Sequence, residues 1–580
     1  MSFITEPLVM VRIRQPLCSR TFGVAPCNAV GEKCFNTDFT CKFRTALSMT
    51  AELVQDFVMA DEAHEWVDVP GAYQPGLAIP ALLAAPTSSP TELNVADGDD
   101  DKASIGVRLV VQVMLKDFAH NDYLVDPYAA TRSYDALSQG TYWAKWLKRN
   151  PYHQGDVMET YEGVRGDALA AMTKRVVYIT KIDRTADQVK VTAKDILAKI
   201  SDTNITYPPL SPGTLNLAMG VGDTSFAVIN ADAATDYPAA SGLVRIGAEV
   251  IAYAARSGTG TVTFTGCTRA QIGTVAATHA QNDRVQRVVS YVDLRCDAIL
   301  YDVLVNGGKT PVANVPLATW NAEIDQWRPE FLFTTYLTEP VLVTQLAGEV
   351  CASALTHIWT DERSGLVRLE AQRPIAAPIT LTWETDIVQG SYRETEHPEQ
   401  RASSFVVYYR PRSWINGIGD STNYESGKEY RDPLSEVQYG SSSLRQLFSR
   451  WIKSDALAIT LAATYVGRFR DVRRKVSFQL RSADVWTGDQ VRIRHYADVD
   501  QYGAPEESLW LITKAEVIVP GAKYAFEAED NDMVGVLWEW VDDTIPDWAS
   551  ATALQKATIG YWLTDDDRDI DGNLQPFRWL

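Results

Sequence analysis

Four cysteines fall within 24 residues near the start of the chain: Cys18, Cys27, Cys34 and Cys41, in the stretch PLCSRTFGVAPCNAVGEKCFNTDFTCKF. No other feature constrains a local fold so tightly. A run this short is too small for a core of its own, so whatever its thiols bind must hold it. Four thiols at close range hold a tetrahedral zinc, an iron–sulfur cluster or two disulfides. The opening MSFITEPLVMVRIRQ has no basic stretch followed by an apolar one, so no secretory leader is expected. A chain folding in a reducing cytosol seldom relies on disulfides. Zinc ribbons bring cysteines together as short knuckle pairs, whereas the spacing here is C-x8-C-x6-C-x6-C with no histidine nearby. Wider spacing suits a bulkier cluster approached from several sides, with Gly23, Pro26 and Gly31 supplying turns between ligands. The residues therefore favour an iron–sulfur cluster, with zinc as the alternative and disulfides or unligated thiols behind it. Cys267, Cys296 and Cys351 are scattered singly and are expected to be small buried hydrophobes.

The 580 residues are too many for one hydrophobic core, and roughly three to five domains are expected. The 54 basic against 74 acidic residues leave a net charge of −20. That balance argues against sequence-specific nucleic-acid binding, which needs a basic face to neutralise phosphates. The longest apolar run, LAIPALLAAP from Leu77 to Pro86, is short and broken by prolines. No transmembrane segment is expected, and the chain reads as a soluble protein.

Alternation of apolar and polar residues predicts a mainly β, multidomain α+β fold. Residues 1–50 carry a strand, VMVRI, and the cysteine segment. Residues 51–206 form a β-rich lobe that includes the alternating SIGVRLVVQVML and a hairpin plus helix from Lys174 to Ile200. Residues 207–288, rich in Gly, Ala, Thr and Asp, read as a small inserted β-domain, a barrel or sandwich. Residues 289–402 form an αβ region. One helix there carries Leu294, Ala298, Ile299 and Val303 on one face. A second helix covers Val341 to Leu355, ahead of a strand–turn–strand with Ser364-Gly365 at the turn. Residues 403–530 form a second β-barrel with a flexible stretch, WINGIGDSTNYESGKEYRDP, and a long amphipathic helix from Ser443 to Tyr465. Residues 531–580 are an acidic, Trp-rich C-terminal segment.

Several catalytic signals fail on inspection. DEAH at Asp61 to His64 lacks the phosphate-binding loop it would need, because the first glycine required before Gly308-Lys309-Thr310 is Val303. The seven histidines, His64, His120, His153, His279, His357, His397 and His495, show no paired spacing, and no G-x-S-x-G elbow is present. No catalytic residue is assigned and the chain is not expected to be an enzyme. In DDDRDIDGN, Asp567, Asp569, Asp571 and Gly572 match a calcium loop, but Arg578 stands where the closing carboxylate belongs. A solvated acidic turn is the simpler reading. Trp538, Trp540, Trp548, Trp562 and Trp579 alternate with acidic residues, as on a protein contact surface or in aromatics packing on their own barrel.

PLCSRTFGVAPCNAVGEKCFNTDFTC resembles the cysteine segment of tail-tip (baseplate) hub proteins of siphophages and gene transfer agents. The PC at 26–27, CFNT at 34–37 and TC at 40–41 carry the likeness. The phrase IGAEVIAYAARSGTGTVTFTGCTRAQIGTVAATH is similar to a small β-module that recurs in phage tail proteins. The resemblance implies baseplate-hub-like β-barrels and a [4Fe-4S] cluster on Cys18, Cys27, Cys34 and Cys41 that acts as a structural staple. It implies a homotrimer at the virion tail tip, assembled in the bacterial cytoplasm. The trimer would contact the distal tail protein ring, the tape measure protein C-terminus and a central tail fibre or receptor-binding protein. DNA would pass through its channel at genome ejection, along walls whose acidity would keep it from sticking. A receptor-binding or tail-associated hydrolytic protein is the alternative.

Overall fold

The computed structural model describes residues 6–67, 69, 78–93, 108–202, 204–373, 378–499 and 502–530, with short strands at 539–540 and 559–560. Strands dominate these residues, in several sheets around separate cores. The first sheet uses Pro7–Leu17 (β1), Ala51–Met59 (β2), Ala78–Leu82 (β3), Val110–Lys116 (β4), Val157–Val164 (β5), Thr173–Arg184 (β6) and Gln188–Lys194 (β7). Their order is β3-β2-β1-β5-β6-β7-β4, and β4 returns to β3 through Leu82 and Leu115, closing a seven-stranded barrel. The strict alternation of Val111, Val113 and Leu115 on β4 and of Val189, Val191 and Ala193 on β7 turns one face inward. The helix Tyr142–Arg149 joins that core through Tyr142, Trp143 and Trp146, and Phe57 of β2 stacks on Trp143 at 5.5 Å.

The inserted region forms two small sheets. One joins Thr214–Leu215, Phe226–Asp232, Thr259–Thr265 and Ala255–Ser257. The other pairs Gly242–Ile246 with Glu249–Tyr253 and with the start of Val285–Arg295. Leu215, Val228, Tyr237, Val244, Ile251 and Phe264 share one core between them. The strand Val285–Arg295 then continues into the αβ region, where it pairs with Leu332–Leu337. The largest core spans that region and reaches beyond it, and is built on the helices Cys296–Asp302, Leu317–Trp327, Val343–Ala354 and Asp455–Phe469. A last sheet orders Ile379–Thr382, Gln490–Val499, Pro505–Val519, Lys523–Asp530, Arg473–Leu480 and Arg393–His397 around its own core. The chain ties this sheet to the first lobe by pairing Thr91–Glu92 with Ala515 and Lys514.

Three local expectations differ from the structure. The helix expected from Ser443 to Tyr465 divides: Leu444–Phe448 is a strand lying parallel to Ser404–Pro411, and the helix runs Asp455–Phe469. Ser454 sets that start, because its side-chain oxygen accepts from the Leu457 N–H. The apolar spacing over 444–452 is a coincidence of a strand followed by a turn. The stretch expected to be flexible is half strand, since Tyr424–Arg431 pairs along Ser404–Pro411. Leu294 belongs to no helix. It lies 40% exposed at a bulge of Val285–Arg295, beside Asp293 at φ +52°, and the helix begins at Cys296.

The hairpin from Thr173 to Lys194, the helix Val343–Ala354 and the pair Thr356–Asp361 and Leu366–Ala371 form where alternation placed them. Among the described residues no helix is long and apolar enough to cross a membrane. The DDDRDIDGN loop and the five C-terminal tryptophans lie outside the residues whose side chains are described.

Candidate cofactor site

The cysteine segment occupies residues 18–50, the connection between the adjacent barrel strands β1 and β2. Apart from one short turn at Arg44–Ala46 it has no regular structure. Its shape comes from turns. Gly23 and Gly31 sit at φ +76° and +87°, where a side chain would be strained, and Asn36 sits at φ +57°.

All four cysteines line one pocket. Cys18, Cys27 and Cys34 are buried and Cys41 is half-buried, and none is in a disulfide. Burial pushes the Cys34 thiol up, and the neighbouring sulfurs of Cys41, Cys27 and Cys18 add to that shift, while a contact with Asn36 opposes it. Arg20 and Lys42 also line the pocket, and no acidic residue does. Among the described residues no set of three or more His, Cys, Asp or Glu side chains is gathered tightly enough for a single metal ion.

CFNT, residues 34–37, is the structural centre of the segment. The Cys18 N–H donates to the Asn36 carbonyl at 2.7 Å, and the Asn36 side-chain amide donates back to the Cys18 carbonyl at 3.1 Å. This exchange brings the first and third cysteines together. The Phe35 N–H donates to the Thr40 hydroxyl at 3.1 Å, which lies 2.8 Å from the Thr37 hydroxyl, so the turn towards Cys41 is pinned.

The segment is also held from outside, by residues that follow β4. The Thr37 hydroxyl donates to the Arg149 carbonyl at 2.7 Å, at the end of the barrel helix. The ring of Phe35 lies between two guanidinium groups, with Arg132 at 3.8 Å and Arg149 at 4.0 Å from its centroid. Arg132 also donates to the carbonyls of Lys33 and Cys34 at 2.5 and 2.7 Å. Each arginine is fixed from behind by a buried carboxylate: Asp126 at 2.6 Å for Arg132 and Asp122 at 2.7 Å for Arg149. Burial raises the Asp122 carboxyl, but hydrogen bonds from Arg149, Lys145 and Tyr134 outweigh it and hold the group below its ordinary value. At the other flank, the Phe22 N–H donates to the Tyr128 hydroxyl at 2.8 Å.

Sequence reasoning found the four cysteines, and the structure brings them to one pocket. It missed Arg132, Arg149, Asp122 and Asp126, which stand about a hundred residues away and carry no local motif. Apolar side chains within a polar cysteine loop, Phe22 and Phe35 among them, were the available hint of an external partner. The other flagged residues have structural settings. In the DEAH run Glu62 accepts from the Val9 N–H, and the Lys309 ammonium donates to the Asn306 carbonyl. His279 shares the buried Glu249 carboxylate with Arg269.

The donor set suits an anionic cluster with four thiolate ligands. All four cysteines line the one pocket, its lining charges, Arg20 and Lys42, are positive, and burial favours the protonated form of the free Cys34 thiol until a metal displaces the proton. Cys18, Cys27, Cys34 and Cys41 would be the ligands. A bound cluster would supply four strong cross-links within a segment that otherwise has only turns.

No protein-family model and no curated protein matches the chain. Solved structures with a similar arrangement include a tail protein from Neisseria meningitidis MC58 (TM-score 0.37, 8% identity, 77% of this chain and 92% of that one). They also include the 43 kDa tail protein of prophage MuSo2 from Shewanella oneidensis (TM-score 0.36, 8% identity, 77% and 95%). A chain of the virion of a native gene transfer agent particle has TM-score 0.30 at 13% identity, over 55% of this chain and 82% of that one. Likeness at this level carries no residue roles to this chain.

Proposed function

We propose that the protein is a structural hub of a phage or gene-transfer-agent tail tip, with a [4Fe-4S] cluster on Cys18, Cys27, Cys34 and Cys41 as a non-catalytic staple. The observation that carries this reading is the CFNT-x-x-TC segment mounted between the first two strands of a closed barrel, with its four cysteines around one buried pocket. Four widely spaced cysteines with no short knuckle pair suit a cluster better than zinc. Zinc asks for sulfurs about 2.3 Å from a single point. The second β-sheet and the inserted β-domain suit a ring subunit with several faces.

In this reading three copies form a ring. The ring joins the tail tube and distal tail ring to a central fibre, receives the tape measure protein C-terminus and closes the DNA channel until ejection. The net charge of −20 suits a channel wall that DNA must slide past, since like charge keeps the polyanion from adhering. The test is immunogold labelling of intact particles with antibody raised against this chain, beside light scattering of the purified protein. Gold confined to the tail tip and a trimer mass are expected. Gold along the tail tube or on the capsid, or a monomer that no tail component converts to a trimer, would overturn the hub assignment.

A further inference from the structure

Beside the cysteine pocket lies a second, open one of about 300 Å³. Asp38 and Phe39 of the cysteine segment form one wall. Arg149, Tyr152, His153 and Asp156, from the end of the barrel helix and the turn into β5, form the other. Phe39 and Tyr152 are 53% and 64% exposed, and their rings meet edge-on at 6.0 Å. Two large aromatics held together in water at the mouth of a cavity are a feature of contact surfaces.

The charges sort into those already used and one that is not. The Arg149 guanidinium donates to Asp122 and to the Tyr134 hydroxyl at 2.7 and 2.9 Å and lies over Phe35. Asp38 pairs with Arg44 at 2.7 Å. The His153 Nδ1 lies 2.9 Å from the Asn150 carbonyl. Asp156 has no cation beside it among the described residues, and burial alone pushes its carboxyl up to about 7. A half-buried acid without a counter-charge, next to exposed rings, is complementary to a long cationic side chain, whose charge favours the ionised form of the acid. The methylene stem of such a side chain packs on aromatic surface while its head finds the acid.

We propose that this pocket is a docking site for a lysine or arginine side chain of a partner protein, with its stem against Phe39 and Tyr152 and its charged head at Asp156. A phosphate-bearing ligand is disfavoured, because the one lysine or arginine that lines the pocket, Arg149, already pairs with Asp122. Since Asp38 and Phe39 come from the cysteine segment, the site exists only while that segment is folded. Docking then reports on the staple whichever cofactor the cysteines hold and wherever the protein is located.

The test is fluorescence anisotropy on the full-length protein with two labelled peptides, Gly-Leu-Arg-Leu-Gly and the same peptide with citrulline, which keeps the shape of arginine and lacks its charge. The arginine peptide is expected to bind at least about tenfold more tightly. Asp156→Asn should reduce it to the citrulline level. Tyr152→Ala, at an exposed position, should weaken both peptides about threefold or more. Equal binding of the two peptides, no binding of the arginine peptide at millimolar concentration, or an unchanged preference in Asp156→Asn would overturn the proposal.

Discussion

Two regions of this protein, the inserted domain and the cysteine segment, are stabilised by opposite means. The inserted domain has its own apolar core, with Val228, Val244, Ile251 and Phe264 fully buried between two sheets. Its main polar clamp is also internal. The buried Glu249 carboxylate accepts from Arg269, from His279 and from the N–H groups of Ala270 and Ala277. The cysteine segment has no comparable core. Beyond short-range hydrogen bonds such as those between Cys18 and Asn36, its contacts are either borrowed, as with Phe35 between Arg132 and Arg149, or conditional, as with four thiols around a pocket. A segment with its own core withstands loss of any outside partner, whereas one without a core folds only as well as its cross-links allow.

The largest effect that would break this comparison is removal of the ligands. Cys27→Ser/Cys34→Ser should cost the segment on the order of 10 kcal/mol of local folding, the scale of a structural metal site. Hydrogen exchange read by mass spectrometry should show peptides from 18–50 losing protection while those from 214–285 keep it. Equal protection of 18–50 in the variant would mean that the borrowed contacts suffice.

Next in size is the internal clamp. Glu249→Ala leaves Arg269 and His279 buried without their counter-charge and should destabilise the inserted domain by about 3–5 kcal/mol. Its melting transition should fall while exchange in 18–50 stays unchanged. A parallel loss in both regions would show that the two are not independent.

Acid gives a third, smaller separation. Burial raises the Glu249 carboxyl, but Arg269, the Ala277 N–H, His279 and the Ala270 N–H outweigh it and bring the group down to about 2. A carboxylate lowered on folding contributes stability that is fully present above its unfolded value, near 4.5, and is lost as pH falls towards 2. The inserted domain should lose up to about 3 kcal/mol across that window. Chemical denaturation between pH 5 and pH 2.5, followed by a probe in the domain, should show the decline in wild type and little of it in Glu249→Gln.

The smallest effect belongs to the borrowed contacts. Phe35→Ala removes two cation–ring contacts worth about 0.5–1 kcal/mol each where partly exposed. It should speed release of the bound metal to a chelator severalfold without changing the number of ions bound. No change in release would mean that Arg132 acts only through its hydrogen bonds to the Lys33 and Cys34 carbonyls.

What could be read in the sequence was local. Cys18, Cys27, Cys34 and Cys41 were visible because a ligand set that closes on itself within 24 residues leaves its pattern in the spacing. The barrel strands were visible because Val111, Val113 and Leu115 alternate about a buried face. Arg132 and Arg149 were not visible, since guanidinium groups that clamp a ring a hundred residues away look like any surface arginines. The segment 443–465 misled for a related reason. Its apolar residues fit a helical face, but parallel pairing with Ser404–Pro411 decides the conformation of Leu444–Phe448, and pairing over that distance leaves no mark in a local window.

A cluster that folds the cysteine segment, as proposed, must be present in every folded chain. The most direct measurement is iron, zinc and acid-labile sulfide per chain in protein purified without oxygen, beside Cys27→Ser/Cys34→Ser. About four irons with matching sulfide and a broad visible absorbance, all lost in the variant, are the expected result. Stoichiometric zinc, or four titratable thiols in a segment that still resists exchange, would contradict it.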